Sequence, residues 1–136
     1  MVKTRVLLVD DQQEVLDGLR RGLEPEFQIV GVAASGSELL QVAPNLSPHV
    51  VVLDVSMPGM SGIEALERVR GTLPEVRVVM LSMHADELYV TEALKAGASA
   101  YVLKTSGVTE LARAIREVRA GNEYLSPPLR GPHETA

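Results

Sequence analysis

Cysteine is absent from the 136 residues, which excludes a disulfide framework and a thiolate metal site and leaves nothing that requires an oxidising compartment. Tryptophan is absent too, and one Phe and three Tyr are the whole aromatic content. The core must therefore be built from Val, Leu, Ile, Ala and Met, an ordinary composition for a soluble α/β domain. No apolar run approaches the roughly 20 residues needed to span a bilayer. The amino terminus lacks the basic start, apolar middle and small-residue cleavage site of a secretory signal. Basic residues are outnumbered, 13 against 18 acidic, for a net charge of -5. No basic field draws in a nucleic-acid backbone or an anionic membrane surface. The expectation is a cytoplasmic protein that meets neither membrane nor DNA through these residues.

What is present has a clear rhythm. Short apolar runs, Val6 to Val9, Ile29 to Ala33, Val50 to Leu53, Val76 to Leu81 and Ala100 to Leu103, alternate with amphipathic stretches. The runs are nearly continuous in apolar residues, which predicts strands covered on both faces, as in a parallel sheet between helices. Val15, Leu16, Leu19 and Leu23 repeat at helical spacing, as do Ile63, Leu66, Val69 and Leu73, and Leu111, Ala114, Ile115 and Val118. Ser35 with Glu38, and Ser61 with Glu64, read as capping boxes that start helices. Pro25, Pro44 and Pro74 read as stops, and Gly97 and Gly121 as left-handed carboxyl caps. With right-handed crossovers, this β-α unit repeated five times predicts a doubly wound, flavodoxin-like α/β fold with a five-stranded parallel sheet in order 2-1-3-4-5. After Gly121 the helical period is lost and Pro127, Pro128, Gly131 and Pro132 appear. Residues 1–121 are thus expected as the domain and 122–136 as a linker or disordered tail, too short for a second domain.

Open α/β sheets bind ligands where strands end and side chains leave the core. Asp10 and Asp11 follow the first run, Asp54 the third, Ser82 the fourth and Lys104 the fifth, and the expected strand order brings all five to one edge. Three carboxylates in one site repel unless a cation is present, and Mg²⁺ is the hard ion that prefers oxygen ligands. A carboxylate nucleophile at Asp54 attacking phosphorus would form an acyl phosphate. That step needs alignment and charge neutralisation, which Lys104, Mg²⁺ and the Ser82 hydroxyl could supply.

These residues stand in segments that resemble the response-regulator receiver family: Val9-Asp10-Asp11, Asp54 to Gly62 (DVSMPGMSG), Leu81-Ser82 and Tyr101-Val102-Leu103-Lys104. The resemblance covers nearly the whole chain. It implies Asp54 as phosphoacceptor, with Mg²⁺ (or Mn²⁺) held by Asp10 or Asp11, Asp54 and the Ser56 carbonyl, Asp11 being the more direct ligand of the pair. Ser82 would bond to the phosphoryl group and, with Tyr101, form the switch. The implied partners are a sensor histidine kinase and a second copy of the domain on phosphorylation. Leu81 to His84, Ala93 to Ala98 and Ala120 to Pro127 are similar to the LuxR/NarL-type subfamily, whose members carry a carboxyl-terminal helix-turn-helix. DNA contact would come only through such an output domain, and about ten residues after Ser126 are too few to form one. Thr105 stands where many receivers have a proline after a cis bond, which leaves the Lys104–Thr105 geometry open.

Each residue also has a plainer reading. A lone Asp at a strand end is usually a cap, Ser82 a turn hydroxyl, Lys104 a surface charge, Met57 to Met60 a turn and Tyr101 a half-buried edge residue. Their conjunction favours chemistry. A haloacid-dehalogenase-type phosphatase needs a second Asp where Ser56 stands, and a flavodoxin phosphate loop would be repelled by Asp10 and Asp11. A receiver-like module that signals without phosphorylation is the remaining alternative. His49, His84 and His133 are too scattered to hold a metal, although His84 could overhang the pocket. Arg113, Arg116 and Arg119, interleaved with Glu110 and Glu117, read as a solvated helix face.

Overall fold

In the computed structural model, residues 2–83 and 85–130 are described. Strands β1 (Arg5–Val9), β2 (Gln28–Ala33), β3 (Val50–Asp54), β4 (Arg77–Ser82) and β5 (Ala100–Leu103) match the five apolar runs to within a residue at either end. They alternate with α1 (Gln13–Leu23), α2 (Gly36–Leu46), α3 (Gly62–Thr72), α4 (Glu87–Lys95) and α5 (Gly107–Arg119). All pairings are parallel, and the order β2-β1-β3-β4-β5 is the one expected for a doubly wound sheet.

Because the central strands β1, β3, β4 and β5 are buried on both faces, there are two cores. Leu7, Val51, Leu53 and Met80 face the side covered by α2, α3 and α4 through Leu39, Leu66, Val69 and Val90. Val6, Leu8, Val52 and Val79 face α1 and α5 through Leu16, Leu23, Leu111 and Ile115. Alternate residues of one strand thus serve opposite layers, as the two-residue repeat of a strand requires.

The sheet corrects one expectation. A sixth strand, β6 (Tyr124–Leu125), pairs with β5 through Ala100↔Tyr124 and Tyr101↔Leu125, so the sheet has six strands rather than five. Within the expected tail, Tyr124–Leu125 form this strand and Pro127–Leu129 a 3-10 turn, while Asn122, Glu123, Ser126 and Arg130 take no regular structure; residues 131–136 lie outside the described residues. The cause is local. Gly121, at φ 97°, ends α5 in a Schellman turn, with Asn122 N–H donating to Glu117 O and Gly121 N–H to Val118 O. The chain then returns along the free edge of β5, and a two-residue strand leaves no apolar run to be seen in the sequence.

The helix ends follow the sequence in most respects. The Ser35 and Ser61 hydroxyls accept from the Glu38 and Glu64 amides at 3.1 Å each. Glu38 returns the contact by accepting from Ala34 N–H at 2.9 Å, whereas Glu64 pairs with Arg68 at 2.8 Å instead. Pro44 does not stop α2 but lies in its last turn; the helix ends at Ser47, whose φ is 47°. A proline there removes one N–H, and two residues of helix remain beyond it. The Lys104–Thr105 bond is trans, like every peptide bond of the described residues. No helix among those residues is long and apolar enough to cross a membrane.

Candidate functional site

The carboxyl ends of β1, β3, β4 and β5 form the floor of one acidic crevice. Asp10 and Asp54 stand at the ends of neighbouring, fully buried strands and are themselves only 1% and 2% exposed, while Asp11, one residue further, is exposed at the rim. Carboxylate oxygens of Asp10, Asp11 and Asp54 can all lie within 4.8 Å of one another. Two tight turns hold the buried pair: Gln12 N–H donates to Asp10 Oδ1 at 2.9 Å, and Ser56 N–H to Asp54 Oδ1 at 3.0 Å. Each Asp thereby accepts from its own backbone two residues on, the usual Asx geometry.

Lys104, one residue past β5, reaches across β4 and β3. Its Nζ lies 3.2 Å from Asp10 Oδ2 and 3.2 Å from Asp54 Oδ2. Burial alone would lower its pKa. The hydrogen bond to Asp10 and the charges of Asp54 and Asp10 outweigh it and hold the ammonium above its ordinary range. The cation thus stays charged, and Asp10 and Asp54 share it while Asp11 stands beside them. One positive charge against three leaves a net negative crevice, and a hard divalent cation with oxygen ligands would complete the balance. The donor set fits such an ion: oxygen ligands only, one of them exposed and reachable from solvent.

On the other side of Asp54 is a cavity of about 260 Å³, lined by Val55, Ser56, Ser82, Asp86, Tyr89 and Tyr101. Ser82 ends β4 at 1% exposure, and its side chain shares a hydrogen bond with the Tyr101 hydroxyl. Tyr101 is 1% exposed, turned into the domain, and its ring meets Tyr89 edge-on at 6.3 Å. Burial first, and the nearby Asp86 charge, raise the Tyr101 pKa against the opposing bond to Ser82, so the phenol remains protonated and able to donate.

Every residue expected at the site, Asp10, Asp11, Asp54, Ser56, Ser82, Tyr101 and Lys104, therefore lies at this end of the sheet. His49 lies at the opposite end, and His84 and His133 lie outside the described residues. Three neighbours were not singled out from the sequence. Tyr89 and Asp86 line the cavity, and Asp86 caps α4 by accepting from the Leu88 and Tyr89 amides. Asp86 stands just before an apolar-periodic stretch, a capping signal that was present. The third is Ser126, fully buried, which accepts from Leu103 N–H at 2.9 Å and donates to Glu110 at 2.6 Å, tying the segment after α5 to the strand that carries Tyr101 and Lys104. Nothing in the local pattern marks it, because its partners are 16 and 23 residues away.

A parallel sheet with a buried aspartate pair, a lysine shared between them and a serine and tyrosine beside them is the receiver architecture of signalling proteins. The chain belongs to the response regulator receiver domain family, whose model matches residues 6–116. It is the receiver domain of a two-component response regulator, and its relatives are transcriptional regulators. The chain is 40% identical over 126 residues to the transcriptional regulatory protein MctR of Rhizobium johnstonii, covering 91% of this chain and 59% of that protein. The chain thus spans about three fifths of the length of that relative. A two-component response regulator of the LuxR family from Aurantimonas sp. SI85-9A1 superposes with a TM-score of 0.89 at 36% identity, over 93% of this chain and 92% of that one. The isolated receiver domain of RcsB from Salmonella enterica, solved with the phosphomimetic BeF3⁻, gives 0.86 at 26% identity, over 93% and 96%.

Proposed function

We propose that this domain accepts a phosphoryl group from the phosphohistidine of a sensor kinase onto Asp54 and thereby switches a protein-interaction surface. The observation that carries the reading is the shared lysine: one half-buried ammonium 3.2 Å from both Asp10 and Asp54, beside an exposed third carboxylate. Asp10, Asp11 and Asp54, with the Ser56 carbonyl, would hold Mg²⁺ or Mn²⁺, which neutralises charge on the transferring phosphoryl oxygens.

The protein's own groups perform the rest. The turn at Ser56 fixes one Asp54 oxygen, and the other, 3.2 Å from Lys104 Nζ, attacks along the line of the breaking bond. The new bond joins that oxygen to phosphorus, the bond from phosphorus to the kinase imidazole breaks, and the imidazole leaves. Lys104 Nζ stays beside the phosphoryl oxygens, and the Ser82 hydroxyl donates to one of them. A serine drawn to the phosphoryl group and a tyrosine hydrogen-bonded to it form two positions of one element, biased by contacts that only the phosphorylated site makes. The domain catalyses nothing beyond its own phosphorylation and dephosphorylation.

The downstream steps follow from the family. The shifted surface favours a homodimer, and DNA is contacted through an output domain outside this chain. The setting is the cytoplasm. The test is intact-mass analysis after incubation with acetyl phosphate and Mg²⁺. The expected result is one phosphoryl adduct on wild type, lost without the metal and lost in Asp54→Asn. No adduct, even with a set of phosphorylated kinases, would leave the phosphorylation-independent interaction module as the better reading.

A further inference from the structure

The amino-terminal end of the sheet carries the opposite charge. Arg5 opens β1, Arg77 opens β4, His49 immediately precedes β3, and Arg119 ends α5. The backbone locks the first three together. His49 N–H donates to Arg5 O at 2.9 Å, Arg5 N–H donates to His49 Nδ1 at 2.9 Å, and Arg77 N–H donates to His49 O at 3.0 Å. Arg5 Nε is fixed in turn on Ser47 O at 2.9 Å. All four residues line an open cleft of about 860 Å³, whose lining also includes Leu73 and Val76; Glu75 is its one carboxylate.

An arginine at a strand start is commonly no more than a solvated charge, and Arg119 is placed to offset the carboxyl-terminal dipole of α5. Neither reading accounts for convergence. In a chain of net charge -5, three arginines line one cleft, and Arg77 and Arg119 form no ion pair or side-chain hydrogen bond among the described residues. Like charges held together in this way are relieved by a bound anion. His49 adds a neutral donor: its Nδ1 is occupied as acceptor, so the ring proton sits on Nε2.

We propose that this cleft is a binding site for a small anion carrying two or more adjacent phosphate groups, such as a nucleoside triphosphate or an inorganic polyphosphate. Planar guanidinium forks match phosphate oxygens two at a time, and several around one cleft suit a chain of phosphates better than a single carboxylate. The cleft is within the size range of small-molecule sites, and the apolar residues of its lining could seat an organic body beside the phosphates. The site is distinct from Asp54 and lies at the opposite ends of the strands.

The test uses the full 136-residue chain in EDTA, which keeps divalent ions from the acidic end. Tripolyphosphate and adenosine triphosphate are titrated separately and followed by amide chemical shifts in wild type and in the double variant Arg77→Gln with Arg119→Gln. The expected result is saturable shifts centred on His49, Arg77 and the end of α5, with affinity reduced about tenfold or more in a double variant that keeps the wild-type spectrum elsewhere. Equal affinity for the two ligands would assign recognition to the phosphate chain alone, and tighter nucleotide binding would add a contact to the organic body; both support the site. Shifts scattered over the surface, equal affinity in the double variant, or binding of poly-glutamate in the absence of any tripolyphosphate binding would overturn it.

Discussion

The two ends of the sheet hold clusters of opposite charge under different physical conditions. At the carboxyl end, Asp10 and Asp54 are buried, fixed by backbone turns and tied to one lysine. At the amino end, Arg77 and Arg119 are exposed and reach the cleft on long side chains without a partner among the described residues. Desolvation makes the first cluster expensive to keep unpaired, whereas water screens the second. Burial, more than charge count, is therefore what distinguishes the two clusters.

Breaking the buried end should cost most. Lys104→Met removes the cation that Asp10 and Asp54 share and should destabilise the domain by about 3 kcal/mol in metal-free urea titrations, with Mg²⁺ recovering part of the loss. A loss below about 1 kcal/mol would mean that the pair behaves like a surface ion pair. Next in size is Ser126→Ala, which leaves Leu103 N–H and the Glu110 carboxylate without that hydroxyl; about 1–3 kcal/mol should be lost, read by the same titration.

The exposed end should respond weakly and differently. His49 has a pKa held below its ordinary value by burial and by the Arg119 and Arg5 charges. The unfolded chain therefore takes up its proton at a higher pH than the folded one. This contribution is complete above the unfolded value of about 6.5 and is lost as pH falls through the lower folded value. Thermal unfolding should accordingly show a shallower fall in Tm between pH 7 and pH 5 in His49→Gln than in wild type. Smallest is the double variant Arg77→Gln with Arg119→Gln, expected within about 0.5 kcal/mol of wild type and slightly stabilised at low salt, where like-charge repulsion is strongest.

Why some of this was legible in advance and some was not follows from where each signal lies. Ala100 to Leu103 reads as a strand because four apolar residues in a row need cover on both faces, and the same logic places Asp10, Asp54, Ser82 and Lys104, the first polar residues after such runs. Strand order then converts positions along the chain into one crevice. Tyr124 and Leu125 escaped because a two-residue strand has no period of its own; its existence depends on the free edge of β5 and the turn at Gly121. Pro44 misled because a proline in a last helical turn leaves few bonds to break. The Arg5, His49, Arg77 and Arg119 cleft was invisible because those residues are separated by 28 positions or more and meet only once β1, β3, β4 and α5 are assembled.

The central claim, that the buried aspartate of β3 is the phosphoacceptor, is tested most directly by trapping the product. Protein incubated with acetyl phosphate and Mg²⁺ is reduced with borohydride, which converts an aspartyl phosphate to homoserine, and its peptides are sequenced by mass spectrometry. Homoserine at position 54 and at no other aspartate is the predicted result. Homoserine at Asp10 or Asp11, or none under conditions that modify a known receiver run in parallel, would contradict it.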